Sequence, residues 1–429
     1  MKRRPLVLAL AVASAGALAV VSFTGWQRAE VDRLVADARG RLDAPLEEAP
    51  ELHRLQASTA ASLLRRAETL GATDAETVGL RHYAEALEDY TRGDLMLAEG
   101  ALDAARLRLG EVPRVLVLRA AIALGRHQEA EARIAIERAL AAAPHDARAL
   151  VLAADAATEA GDAARARALL DRALAAAPRA AGVWNRRALA REHADDLAGA
   201  ESDLRRAVAL DARDAVPLVN LGSLLRRADR HAASLEVFAR AVTLAPTNAD
   251  ALFGRGLALA ATGDAAGAET DFRRAAELAP NDAEPVLALG DLAADLGDPR
   301  EAVRLYREAI AREDADAASW LKLGNALFAA ADAEGAVRAF REALTRAPDL
   351  AAAHNGLGAA LSHLGDRDAA ASALARAAAL DTQDPHPLMN LALLHERQGD
   401  RGRARDAWRD ALARDPGSSI AQARLAALR

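Results

Sequence analysis

From about residue 79 onward, apolar residues recur three and four apart in runs of a dozen or so, each run broken by Gly, Asp or Pro. That spacing lines one face of a helix and does not alternate as a strand would. The stretch GDAAGAETDFRRAAELAP, Gly263 to Pro280, is typical: a Gly-Asp start, small residues flanking one aromatic, and a proline stop. The pattern predicts short amphipathic helices joined by tight turns, and no strands.

The runs repeat. Gly222, Gly256, Gly290, Gly324 and Gly358 follow one another at intervals of 34 residues, as do Pro246 and Pro280. A frame of that length opens at Gly79 and closes at Ser418, giving ten copies without an insertion. Its eighth column is Ala or Gly throughout, which predicts that a first helix presses its backbone against a second. In the second helix the twentieth column is Ala except for Ser234, and the twenty-seventh is always Ala. Between them the twenty-fourth is bulky: Leu102, Ile136, Leu170, Leu204, Phe238, Phe272, Tyr306, Phe340, Leu374 and Trp408. Asp in the sixteenth column, from Asp94 to Asp400, predicts a cap for the second helix. Proline near the end of the copy stops it.

These columns, with Trp184 and Trp320 as occasional openers, resemble the tetratricopeptide repeat family over about four fifths of the chain. The resemblance implies an all-α, right-handed solenoid in which first helices line a concave, peptide-binding face. His82 and His354 depart from the pattern by standing at the opening position, and Gly125 falls two residues early in its copy.

Four regions follow. Residues 1–26 carry Lys2, Arg3 and Arg4 before an uncharged run from Pro5 to Trp26, 22 residues long, enough for a transmembrane helix of about 20. By the positive-inside tendency the N-terminus stays cytoplasmic in a bacterial-type inner membrane and the body faces the periplasm. Cleavage at Ala13-Ser14-Ala15 or Ala15-Gly16-Ala17 would instead release a secreted protein, but would leave an apolar LAVVSF start, which favours the retained anchor. Residues 27–78 predict two helices outside the frame, with Val31, Leu34, Val35, Ala38 and Leu42 on one face and Leu52, Leu55, Leu63 and Ala67 on the other's. Residues 79–418 form the repeats. Residues 419–429 form a capping helix, which could also stack on a second copy of the chain as a homo-oligomer.

Composition removes several chemistries. The absence of cysteine excludes disulfides and thiolate sites. A net charge of −7 without a basic stripe argues against nucleic acid. Only Lys2 and Lys322 are lysines. GRGLAL from Gly254 and GLGAAL from Gly356 lie inside predicted helices and follow no strand, so they do not read as nucleotide loops. His354, His363, His386 and His395 gather in two successive first helices without a carboxylate at ligand spacing, so no metal is expected. No G-x-S-x-G elbow occurs and no region outside the repeats could hold a catalytic domain, so no catalytic residue and no cofactor is expected.

Function is therefore expected on the first-helix columns not used for packing. Asn185, Arg186, His193, Asn220, Ser223, Arg226 and Arg227 form one polar patch. Phe253 follows in an acidic stretch with Asp250, Glu284, Asp291 and Asp295. Lys322, Asn325, Phe328, Asn355, His363, Asn390 and Arg397 restore polar and basic character. Asn amides match a peptide bond as donor and acceptor. The sequence predicts a membrane-anchored scaffold holding other proteins or peptides to assist envelope assembly, secretion or maturation. The alternative is a non-catalytic subunit of an enzyme machine, of a glycosyltransferase or cytochrome-maturation type.

Overall fold

A computed structural model describes residues 27–42, 50–312 and 316–428, and all its regular elements among them are helices. The span expected within residues 1–26 lies outside the described residues; among the described ones no helix is long and apolar enough to cross a membrane.

The chain divides into two compact units at Leu224/Leu225. The first holds α1 (27–42), α2 (Pro50–Thr69), α3 (Ala75–Arg92), α4 (Leu95–Leu109), α5 (Pro113–Gly125), α6 (Glu129–Ala142) and α7 (Ala147–Glu159). It continues through α8 (Ala163–Ala176), α9 (Ala181–His193), α10 (Leu197–Leu210) and most of α11 (Val216–Arg227). The second begins with the end of α11 and runs through α12 (His231–Leu244), α13 (Ala249–Ala261), α14 (Ala265–Leu278), α15 (Glu284–Asp295), α16 (Pro299–Arg312) and α17 (Ala317–Ala329). It ends with α18 (Ala333–Arg346), α19 (Ala351–Leu364), α20 (Arg367–Leu380), α21 (His386–Arg397), α22 (Arg401–Arg414) and α23 (Ser419–Ala427).

Within each unit consecutive helices pack in antiparallel pairs, such as α3 with α4, α13 with α14 and α17 with α18. The columns explain why. Ala268, Phe272 and Ala275 of α14 are all buried, and a Cβ added to Gly256 of α13 would come within 2.6 Å of the Phe272 ring. The same holds for Gly290 under Tyr306 and Gly324 under Phe340. A small residue on the first helix thus makes room for the large one on the second, and burying each aromatic contributes about 1.5–3 kcal/mol. Gly254 and Gly356, the leading glycines of the two nucleotide-like strings, face the Phe238 and Phe340 rings of the preceding pair. They are docking room for aromatics.

Capping follows the sixteenth column. Asp162, Asp196, Asp264, Asp332, Asp366 and Asp400 each accept a hydrogen bond from the backbone N–H three residues on. Asp94 makes no such bond and corrects the expectation there. The residue two positions before each cap's N1 turns left-handed, and is glycine in Gly263, Gly297 and Gly365. His127, Asp195, Asp229 and Ala331 hold the same conformation without being glycine. His127 thus supplies the turn that Gly125, a helical residue against Leu95, does not.

At three positions the opening column has a polar role that the apolar expectation missed, whereas the buried Trp320 indole N–H makes no hydrogen bond among the described residues. Trp184 Nε1 donates to the Pro178 carbonyl at 3.1 Å, His354 Nε2 to that of Pro348 at 2.9 Å and Gln422 Nε2 to that of Pro416 at 2.9 Å. His354 is therefore no departure in function: its ring N–H ties the helix to the preceding turn as the indole does. In the leading pair, Leu34, Ala38 and Leu42 are buried as expected, but Leu55 is 63% exposed. Leu63 packs against the core and Ala67 is buried, as expected, and Ala57, Ala60, Ala61 and Leu64 complete the packed face of α2. A face lined with Ala lets neighbouring backbones approach where a Leu would hold them apart. The side chain of Leu52 lies outside the described residues.

Charge is also buried between helices. Arg255 grips Asp271 with both Nε and Nη2, at 2.6 and 2.7 Å, and Asp271 is only 4% exposed. Two frames earlier Arg187 holds Asp203 in the same way at 2.7 and 2.8 Å, and Arg191 adds a third contact at 3.1 Å. Hydrogen bonding to the carboxylates holds Arg187 and Arg255 above the usual guanidinium range, against the cost of burial.

Two outcomes follow. Ala331 is exposed at φ 65°, a conformation costing an L-residue about 1–2 kcal/mol. Ala331→Gly should therefore raise stability by about 0.5–1 kcal/mol after the added unfolded-chain entropy, read as a higher urea midpoint. Asp271→Ala should lower it by about 2 kcal/mol, because it leaves the half-buried Arg255 guanidinium unpaired, whereas the double change Arg255→Met with Asp271→Leu should recover most of that loss.

Candidate peptide-binding face

First helices of the same unit also touch one another, as α17 with α19 and α19 with α21 do. Their free columns therefore form continuous surfaces, on which the structure places the polar residues in small, connected groups.

Two groups are Asn pairs. Asn220 Nδ2 donates to Asn185 Oδ1 at 2.8 Å in the first unit, and Asn390 Nδ2 donates to Asn355 Oδ1 at 2.9 Å in the second. In each case the fifth column of one copy meets the sixth of the next. Each bond uses one N–H and one lone pair, leaving each pair an amide N–H₂ and a carbonyl oxygen. Asn185 is 9% exposed, so most of its side chain is held in place before a ligand arrives.

Two groups are ion pairs across neighbouring first helices. Lys322 Nζ lies 2.7 Å from Asp291 Oδ2, and the Tyr306 hydroxyl donates to Asp291 Oδ1 at 2.8 Å. Burial and the bond to Asp291 push the Tyr306 hydroxyl far above the usual phenol range. In the first unit Arg186 Nε lies 3.3 Å from Asp155, and both residues stand 136 positions, four frames, before their counterparts. Burial pushes the Asp155 carboxyl up, with Arg186 opposing it, and burial likewise pushes up the nearby Tyr90 hydroxyl.

The remaining predicted residues scatter. Phe328 and His363 meet edge to face, with centroids 6.1 Å apart and planes at 85°. His193 Nδ1 lies 3.4 Å from the Leu189 carbonyl. Arg227, Asn325 and Arg397 are exposed and Ser223 is half-buried. The four histidines do not converge: His354 binds the Pro348 carbonyl, His363 meets Phe328, His386 Nδ1 lies 2.6 Å from Asp384 and His395 Nδ1 lies 3.2 Å from Gln398. Asp384 is thus a carboxylate beside His386 that the sequence reading overlooked.

Phe253 and Lys322, with Arg226, line a cavity of about 550 Å³ in the second unit. Leu257, Leu287 and Ala288 line it as well, with Glu284, Asp291 and Asp316. Leu257 and Leu287 were not singled out from the sequence, although both fall in the columns assigned to the free face; their apolar character made them read as packing.

Comparison with known proteins agrees with the helix pairing. A family model for the tetratricopeptide repeat matches residues 118–180 and 151–215, and one for the cilia and flagella-associated protein 70 C-terminal domain, a tetratricopeptide repeat model, matches residues 226–414. Similar solved structures include the Cut9–Hcn1 hetero-tetramer of the APC/C, with 19% identity over 89% of this chain and 84% of that one and a TM-score of 0.47. PilF of Pseudomonas aeruginosa is 21% identical over 47% of this chain and 92% of its own, with a TM-score of 0.43. A tetratricopeptide repeat protein of Parabacteroides merdae is 15% identical over 58% and 98%, with a TM-score of 0.44. No curated protein matches the chain in sequence. With its glycine-aromatic columns, its Asp-capped helix pairs and these family matches, the chain belongs to the tetratricopeptide repeat family.

Proposed function

We propose that the protein is a binding scaffold whose first-helix faces hold segments of other proteins, with residues 1–26 anchoring it in a bacterial-type inner membrane and its helical body in the periplasm. There it assists assembly, secretion or maturation of envelope components. The observation that carries the binding role is the pair of Asn–Asn contacts, one in each unit, in which amides fixed by each other keep hydrogen-bonding capacity on the free face. A backbone segment laid there meets preset partners, so less side-chain entropy is lost on binding than a mobile surface would lose. The anchor and compartment rest on the basic cluster and the uncharged run that follows it. Self-association through α23 is a further part of the reading, because Ile420 is 58% exposed on that last helix.

One experiment addresses both parts. Alkaline phosphatase fused after Arg429 should be active in cells, and affinity capture of the full chain from solubilised membranes should recover a partner. Changing Asn185, Asn220, Asn355 and Asn390 together to Ala should reduce that recovery about tenfold, with helical content unchanged by circular dichroism. An inactive fusion contradicts the compartment; undiminished recovery contradicts the Asn pairs as the binding surface.

A further inference from the structure

Among the groups lining the cavity over α13, α15 and α17 is one cation, Arg226, whose side chain makes no ion pair among the described residues. Of the ionic groups lining it, Lys322 and Asp291 neutralise one another, and the second Asp291 oxygen is taken by Tyr306. Asp316 keeps its charge while its Oδ1 accepts from both the N–H and the hydroxyl of Ser319 on α17. Glu284 is exposed on the first turn of α15, where water serves its carboxylate. Arg226, at the end of α11, is half-buried, and its side chain makes no hydrogen bond or ion pair among the described residues. A guanidinium in that position has given up part of its hydration and gained no partner in return, and its planar fork is shaped for a carboxylate.

Beside it lies apolar surface large enough for a bulky side chain. Phe253, Leu257 and Leu287 are only partly covered by the protein's own packing, and about 550 Å³ falls within the range of ligand sites, roughly 300–1,000 Å³. Four frames upstream the corresponding residues are Tyr90 for Arg226, Val117 for Phe253, Ala121 for Leu257 and Val151 for Leu287. The ion pair of Asp155 and Arg186 persists there while the unpaired cation and the longer apolar side chains do not. The ion pair is thus framework common to both units, and the second-unit cavity adds a feature of its own.

We propose that this cavity binds an extended peptide segment in which an acidic side chain stands beside a large apolar one, the carboxylate on Arg226 and the apolar side chain on Phe253, Leu257 and Leu287. The assignment deepens the scaffold reading and rests on it. Glu284 and Asp316, which also line the cavity, disfavour a second acidic residue, so the segment carries one acid and not a run of them.

Fluorescence anisotropy of labelled nonapeptides, capped at both ends, with Asp-Phe, Asn-Phe or Lys-Phe at the centre, tests this on the full chain in detergent. The Asp-Phe peptide should bind at least tenfold tighter than the other two. Arg226→Met should erase the difference, Arg226→Lys should keep part of it, and Arg226→Glu should favour Lys-Phe. Equal binding of Asp-Phe and Asn-Phe, or an Asp preference that survives Arg226→Met, overturns the proposal. If those peptides bind equally and Leu257→Asp abolishes binding without loss of helicity, the groove stands and the acidic specificity falls. An uncapped Asn-Phe peptide that matches capped Asp-Phe overturns the side-chain assignment in favour of a C-terminal carboxylate. Binding of no peptide overturns this proposal, while capture through the Asn pairs judges the scaffold reading separately.

Discussion

Everything on the first-helix faces depends on how a large side chain of one helix fits against a glycine or alanine on another. Phe340 shows the constraint most fully: a Cβ on Gly324, within its own pair, would come within 2.6 Å of the ring, and one on Gly356, in the next pair, within 2.5 Å. The ring is 1% exposed. Two glycines inside helices each cost up to about 1 kcal/mol in propensity against Ala, and the packing they allow offsets that loss. Because the ring is wedged between two first helices, it fixes both, and with them the side chains they present outward.

Polar contacts then set what those faces can do. The paired Arg and Asp at Arg187–Asp203 and Arg255–Asp271 hold first helix to second, and ring or amide N–H groups of Trp184, His354 and Gln422 tie first helices to the turn before them. With these charges and donors consumed internally, the faces keep the unspent amides of the Asn pairs, the neutralised pairs Asp155–Arg186 and Asp291–Lys322, and Arg226, beside exposed polar residues such as Asn325, Arg397 and Glu284.

The repeat length, the helix pairing and the Asp caps were legible in the sequence because each is a local or strictly periodic property: a 34-residue spacing survives any uncertainty about helix ends. The face of α2 was legible only at Leu63 and Ala67, because most of its packed stripe is Ala and carries little hydrophobic contrast. The role of His354 was not legible, since an imidazole at an apolar column gives no hint that its N–H replaces an indole. The Asn residues were visible as candidates, but not that Asn185 and Asn220 spend part of their capacity on each other, which depends on how far one first helix is offset from the next. Leu257 and Leu287 were hidden by their own character: without the cavity, an apolar residue on a helix reads as core.

The claim that glycines are dictated by the aromatic wedge is tested most directly at Gly356. Urea unfolding of Gly356→Ala should be measured with Phe340 in place and again with Phe340→Leu. With the ring present the added methyl should destabilise by about 1–3 kcal/mol, as overpacking does; with the ring shortened the same change should become neutral or stabilising by up to about 1 kcal/mol, as helix propensity alone predicts. Stabilisation of similar size in both backgrounds would contradict the account.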